Sequence, residues 1–142
     1  MLTELSSWPL GKVPPKYPFL TCCRTYRSGT SLENVIEDAC ILIWNASLPL
    51  LQPTLRAHVL KPFARAVSAL EELNSNQIEL RRNLHYELAI GLIEVEDVLA
   101  KAKLHVDKAI TLNQSDTFSK YYLEPLKNRI LIRINLYDDP ER

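Results

Sequence analysis

The chain has 142 residues, 46% of them hydrophobic and 24% charged, and its 17 basic and 17 acidic side chains give a formal net charge of zero. This length is typical of one domain, and the balanced charge argues against a surface that neutralises many nucleic-acid phosphates. Only three glycines occur. Because tight hairpins and phosphate loops need glycine at their turns, the composition favours helices joined by short polar links.

The cysteine pattern and the first residues bear on the cellular compartment. Cys22, Cys23 and Cys40 are an odd number and contain no CxxC pair, so free thiols and a reducing compartment are expected. The chain begins without a basic segment followed by an apolar run, and no stretch is long enough to span a bilayer. We therefore expect a cytoplasmic protein that does not enter a membrane.

Residues 1–28 differ in composition from the rest of the chain. Pro9, Pro14, Pro15 and Pro18 lie close together there. Because proline fixes φ and restricts the residue before it, the segment is predicted to be irregular, either disordered or docked on the first helix or on a partner. Residues 29–142 are predicted to form one helical domain.

Apolar periodicity predicts five helices in residues 29–142, at about 31–51, 55–73, 77–95, 97–112 and 117–136. A capping box that starts at Thr30 and ends at Glu33 precedes the first helix. A bend is expected at Pro62 in the second helix and a kink at Pro125 in the fifth.

The same periodicity predicts which side chains face the core. Trp44 is expected at the edge of the stripe in the first helix. For that helix the predicted buried residues are Leu32, Val35, Ile36, Ala39, Ile43 and Ala46, and for the fifth they are Tyr121, Tyr122, Leu126, Ile130 and Ile134.

The spacing of the helices points to a repeat architecture. Every second helix starts about 40–46 residues after the previous one, an interval found in α-solenoids built from helix pairs. The predicted fold is therefore all-α, a right-handed α-solenoid of antiparallel helix pairs. The fifth helix has no mate, so it either caps the stack or continues into further repeats of a longer chain.

The central hairpin, residues 84–112, resembles a degenerate tetratricopeptide repeat. Its turn lacks the family's glycine, and Gln114 stands where the family has a closing proline. The residues that carry the resemblance, and that it implies for helix packing, are Leu88, Ala89 and Leu92 in the first helix and Ala102, Val106 and Ala109 in the second.

A wider resemblance covers about residues 32–142. The stretches ACILIWNASLPLLQP, LHYELA, LAKAKLHVDKAI and YYLEPLKNRILIRINLYDDPER are similar to a large tetratricopeptide-containing family of cilia- and flagella-associated proteins. That family belongs to the C1d projection of the central-pair apparatus in motile axonemes. The resemblance implies a scaffold that binds other central-pair proteins and acts in the assembly of the ciliary central apparatus or in the regulation of its motility. Because family members are far longer, it also implies a fragment or a short isoform.

Residues that could carry chemistry have simpler interpretations. His85 and His105 lie on neighbouring helices but lack a third ligand or a nucleophile, so they are expected to be structural histidines. Glu94, Glu96 and Asp97 are expected to form a polar break and to cap the fourth helix. No catalytic, cofactor-binding or metal-binding residue is predicted, and the protein is not expected to be an enzyme.

Other proteins are therefore the expected partners, with no cofactor. Polar residues of the third helix are the candidate clamp for a partner: Arg81, Arg82, Asn83 and Tyr86. One alternative is a general cytosolic peptide-binding adaptor. Another, less favoured, is a nucleic-acid-binding module built on Lys101, Lys103, Lys127, Arg129 and Arg133.

Overall fold

The computed structural model describes Tyr17, residues 32–96 and residues 98–137. In this part of the chain every regular element is helical, which confirms the all-α class. The α-helices are α1 (Leu32–Ser47), α2 (Leu60–Glu72), α3 (Ile78–Gly91), α4 (Leu99–Leu112) and α5 (Glu124–Tyr137). The shorter elements are the 3₁₀ helices Leu48–Leu50 and Arg56–Val59, the π-helical turns Leu92–Glu96 and Ser119–Leu123, and the one-turn segment Asp116–Phe118. Apart from Tyr17, the predicted irregular segment lies outside the described residues. Thr30, the start of the capping box predicted for the first helix, also lies outside them.

The helices pack in chain order, α1 on α2, α2 on α3, α3 on α4 and α4 on α5, and the contact between α3 and α4 is the most extensive. Small side chains lie at that contact, where Ala89, Ala102 and Ala109 are fully buried. Alanine lets two helix backbones approach closely, and neighbouring larger residues fill the space beside them. Leu88, Leu92 and Val106 are the larger buried residues of this group.

The buried face of α1 is not the one that periodicity predicted. Trp44 is completely buried rather than at an edge, and it lies with Cys40, Ile41 and Ser47 on the face that meets the core. The prediction was wrong because α1 has two apolar stripes, and the stripe with the aromatic ring buries more surface. Of the predicted residues, Ile36 and Ile43 are half-buried, whereas Leu32, Val35, Ala39 and Ala46 are exposed.

The prolines coincide with changes of helix type rather than with bends inside a helix. Pro62 is the third residue of α2, which follows the 3₁₀ helix Arg56–Val59 directly. In the first turn of an α-helix the missing N–H removes no bond, so α2 starts there. Pro125 is the second residue of α5, and the wider π-helical turn before it makes room for the ring.

The turn between α2 and α3 is a Schellman motif. Asn74 has a φ of 48°, the left-handed conformation that Asn tolerates better than most residues. The Ser75 N–H donates to the Leu70 carbonyl at 3.0 Å, and the Asn74 N–H donates to the Glu71 carbonyl at 3.1 Å. These bonds satisfy the last carbonyls of α2, in the gap between the second and third predicted helices.

At the start of the fifth predicted helix, periodicity predicted only some of the buried side chains correctly. Tyr121, predicted to be buried, is 62% exposed, because the π-helical turn shifts the register of the side chains around it. Phe118 and Leu123, which were not predicted, are buried. Leu126 and Ile130 are buried as expected, and Tyr122 and Ile134 are half-buried. No described helix has the length and apolar character needed to cross a bilayer.

The two stripes of α1 can be distinguished by stability measurements. We expect Trp44→Ala to lower the free energy of unfolding by about 3–5 kcal/mol, because it empties a large buried site. Leu42→Ala on the exposed stripe of the same helix is the matched control and is expected to change it by less than about 0.5 kcal/mol. Urea unfolding of both variants measures the difference, and similar losses would contradict the observed orientation of α1.

Candidate protein-interaction site

The third helix is covered on every side. Residues 80–89 are all buried, although five of them are polar or charged. Water does not reach these side chains freely, so each must find a partner within the protein. The buried polar residues are Arg81, Arg82, Asn83, His85 and Glu87.

Glu87 is the centre of the first network. Its carboxylate, 1% exposed, accepts hydrogen bonds from Arg56 Nε at 3.0 Å and from the Tyr17 hydroxyl at 2.7 Å. Arg56 also donates from Nη1 to Glu94 at 2.7 Å. One guanidinium thus neutralises two carboxylates. It links the segment before α2 to Glu87 on α3 and to Glu94 in the π-helical turn that follows α3.

Glu94 was predicted to help cap α4, and this prediction was wrong. The N-cap of α4 is Val98, which provides no side-chain cap. Arg56 is largely buried, so its ion pair with Glu94 is a stronger interaction than the one Glu94 would make as an exposed helix cap. Asp97, the third member of the predicted break, lies outside the described residues, and Glu96 is exposed.

Tyr17 occupies a pocket between three separate helical segments. Its ring meets the edge of Trp44 on α1, with centroids 4.8 Å apart and an interplanar angle of 79°. Phe118, just before α5, lies 6.4 Å away, and Glu87 on α3 accepts the hydroxyl. We call the space bounded by Trp44, Glu87 and Phe118 the Tyr17 pocket. Burial, followed by the negative charge of Glu87, raises the pKa of Tyr17 well above its usual value, so the phenol remains a neutral donor.

An aromatic groove adjoins the Tyr17 pocket. Phe118 contacts both Tyr86 and Tyr122, with ring centroids 5.4 and 5.0 Å apart. Tyr86 and Tyr122 also line an open cleft of about 340 Å³, together with Pro53, Arg56, Ile90, Glu94, Tyr121, Pro125, Leu126 and Arg129. Burial raises the pKa of Tyr86. The groove therefore presents tyrosine rings and apolar surface beside the Arg56 guanidinium.

A second network joins α2, α3 and α4 on Glu71. Arg81 donates from Nη2 to Glu71 at 2.8 Å, and His85 Nε2 lies 3.1 Å from the same carboxylate. The Nδ1 atoms of His85 and His105 are 2.9 Å apart, so one ring donates to the other. The predicted helix-boundary histidines are therefore in direct contact.

The charges around this network shift the pKa values of its members. Burial alone would raise the pKa of Glu71, but hydrogen bonds from Arg81 and His85 outweigh it and lower that pKa to about 2. Burial, with smaller effects of His85 and Lys101, lowers the pKa of His105 to about 4. Burial also lowers the pKa of His85, against the attraction of Glu71. Lys108, 3.6 Å from Glu71, is the remaining cation at this site.

Within the described residues, no group of three or more His, Cys, Asp or Glu side chains is arranged to hold a metal ion. Cys40 is a buried free thiol bonded weakly to the Ala66 carbonyl, at 3.9 Å. The networks around α3 position one phenol, three carboxylates and two imidazoles by internal hydrogen bonds. Such an arrangement can orient a polar side chain inserted from outside the helices.

The four candidate clamp residues are all buried. Arg81 belongs to the Glu71 network, whereas Arg82 donates to Asn83 Oδ1 from Nε and Nη2 at 3.0 and 2.7 Å. Arg82 also lies over the Phe118 ring, 3.9 Å from its centroid. Arg82 and Tyr86 thus contact Phe118, which is one wall of the Tyr17 pocket. None of the four candidate residues is exposed at the surface.

Sequence reasoning missed the residues that form the pocket. Tyr17, Arg56, Glu87 and Phe118 show no period or motif that separates them from their neighbours. The only available signal was an aromatic residue between prolines, in the segment predicted to be disordered or docked. Of the basic residues weighed for nucleic-acid binding, Lys103 and Lys127 pair with Asp107 at 3.9 and 3.4 Å.

Fold and site together define an all-helical domain with a polar buried helix and an aromatic pocket filled by a residue from outside the helices. The chain is similar to Cilia- and flagella-associated protein 46 of Chlamydomonas reinhardtii, with 44% identity over 86 residues. The match covers 59% of this chain but only 3% of that protein. No family model matches the chain, and no solved structure does.

The histidine pair predicts a dependence of stability on pH. Unfolded histidines take up protons near pH 6.5, but folded His105 does so only near pH 4, so the unfolded chain binds more protons between these values. The contribution of His105 to the free energy of unfolding should therefore be present in full above about pH 6.5 and be lost as the pH decreases towards 4. Glu71 loses its own contribution to stability in a lower pH range, between its ordinary pKa of 4.5 and its folded pKa of about 2.

Urea unfolding at pH 7.5, 6.5 and 5.5 is the measurement (pH values spaced about one unit apart around the ordinary histidine pKa). His105→Gln should reduce the slope of unfolding free energy against pH, whereas His58→Gln, at an exposed site outside the network, should keep the wild-type slope. A wild-type free energy that does not change over this range would contradict the assignment.

Proposed function

We propose that this chain is a non-enzymatic helical scaffold for protein–protein interactions in cilia. The observation that carries the proposal is the 44% identity to a cilia- and flagella-associated protein. In that setting the helices form a degenerate tetratricopeptide-like solenoid, and the partners are other axonemal proteins of the central apparatus. The chain's role there is in assembly or in the regulation of motility.

The surface of α1 supports an interaction role. Leu32, Val35 and Leu42 are 74%, 49% and 61% exposed, and the exposed Ala39 and Ala46 continue the same stripe. Their spacing places them on one face of the helix, opposite the face that contains Trp44. An apolar stripe on one exposed helix face is the feature that helical scaffolds use to bind other helices.

The proposal is tested in a ciliated cell with the epitope-tagged chain. We expect the chain to stay with the axoneme after detergent removes the membrane and the soluble matrix. Val35→Asp with Leu42→Asp should reduce the retained fraction by several-fold, because both changes put charge on the apolar stripe. Ala64→Asp with Ser68→Asp, two exposed positions of α2, is the matched control and should leave retention unchanged.

Complete extraction of the wild-type chain with the soluble matrix would contradict a ciliary scaffold. Equal retention of both double variants would instead show that the α1 stripe is not the surface used. Circular dichroism of each variant establishes that the helices are intact before either result is read.

A peptide-binding adaptor is the second candidate, and the Tyr17 pocket favours it. There a side chain from outside the helices is held by groups from α1, α3 and the segment before α5. This mode of contact is how helical grooves recognise extended peptides. The two candidates are compatible, because a scaffold can hold one of its partners in this way.

A further inference from the structure

The residue that fills the Tyr17 pocket does not belong to the helices that form it. Tyr17 precedes Leu32, the first residue of α1, by 15 positions, yet it is only 9% exposed. Trp44, Glu87 and Phe118 come from three different segments and are themselves 0%, 1% and 6% exposed. The helices thus enclose one side chain, and that side chain belongs to a residue that precedes all of them in the sequence.

The pocket has the chemistry to select tyrosine. Glu87 is held by Arg56 and accepts a hydrogen bond from the Tyr17 hydroxyl at 2.7 Å. A ring without a hydroxyl would leave that buried carboxylate oxygen with one hydrogen bond fewer. The edge-on contact with Trp44 requires an aromatic ring, and a smaller side chain would leave an empty cavity. Phenylalanine would lose the hydrogen bond to Glu87, and an aliphatic residue would also lose the aromatic contact with Trp44.

The groove beside the pocket suits the residues that flank such a tyrosine. It shares Arg56 with the Glu87 network and shares Tyr86 and Tyr122 with the rings around Phe118. Three tyrosines and two prolines make up half of its ten lining residues, and Tyr121 among them is exposed. Aromatic-lined grooves of this kind bind extended, proline-containing segments, which lose little conformational entropy on binding.

We propose that the Tyr17 pocket is a recognition site for a tyrosine-bearing extended segment of a partner protein, which the chain's own Tyr17 occupies in cis. The proposal rests on the proposed protein-interaction function and names the partner's chemistry. The partner tyrosine donates its hydroxyl to Glu87 and places its ring against Trp44, after Tyr17 has left. Binding is therefore a competition between two tyrosines, one of them tethered to the site.

The test uses the full chain and a synthetic peptide with the sequence of residues 9–21. Trp8→Phe leaves Trp44 as the sole tryptophan, so its emission reports the pocket. In this background, Tyr17→Ala vacates the site. We expect the peptide to change Trp44 emission saturably, a peptide with Phe at the tyrosine position to bind about tenfold more weakly, and one with Ala to show no binding.

The chain that keeps Tyr17 is the matched control. It should bind the tyrosine peptide at least about tenfold more weakly than the Tyr17→Ala chain, because a tethered competitor has a high effective concentration. Glu87→Gln should reduce the preference for the tyrosine peptide over the Phe peptide, because the acceptor loses its charge.

Two results would overturn the proposal: equal affinity of the two chains for the tyrosine peptide, or no preference for tyrosine over alanine in the peptide. If circular dichroism shows that Tyr17→Ala is unfolded, Tyr17→Phe takes its place, and it must bind the tyrosine peptide more tightly than the chain with Tyr17. The titration uses purified components, so its outcome is independent of axonemal retention, and failure of either proposal can be recognised separately.

Discussion

The fold depends on the burial of α3, a helix whose side chains are covered all round and yet include two arginines, a histidine, a glutamate and an asparagine. A carboxylate or guanidinium in such a place is tolerated only when it is paired and hydrogen-bonded. Glu87 finds Arg56 and Tyr17, and Arg81 finds Glu71. The partners come from α2, from the segment before it and from Tyr17, which precedes α1. The polar residues of one helix thereby determine where its neighbours lie.

Directional bonds of this kind select one arrangement where apolar packing alone would allow several. Alanines let α4 lie close to α3, and Trp44 with Phe63 fills the space beneath α1, their ring centroids 5.5 Å apart. The Glu87 network then fixes the rotation of α3, so that one carboxylate accepts hydrogen bonds from Arg56 and from the Tyr17 hydroxyl. The Tyr17 pocket is a consequence of this rotation. Structure and proposed recognition therefore share the same residues.

The all-helical class, the link between the second and third helices and the buried Ala102, Val106 and Ala109 of α4 could be predicted from the sequence, because local period determines them. The face of α1 could not. Leu32, Val35 and Leu42 repeat as regularly as Ile41 and Trp44, and only the neighbouring helices decide between the stripes. The charges of α3 resemble those of an exposed helix, since burial with distant partners leaves no local pattern. Tyr17 was equally hidden, because its contacts lie 27 to 101 positions further along the chain.

A double-mutant cycle between Arg56 and Glu87, with unfolding free energies from urea titration, tests the role of the Glu87 network. We expect Arg56→Met to cost about 3–5 kcal/mol, because it leaves the buried Glu87 carboxylate without its cation. Adding Glu87→Gln should then cost much less than it does in the wild-type chain. Arg65→Met, at an exposed position of α2, is the control. If Arg56→Met changed stability no more than Arg65→Met, the central role of the Glu87 network would be contradicted.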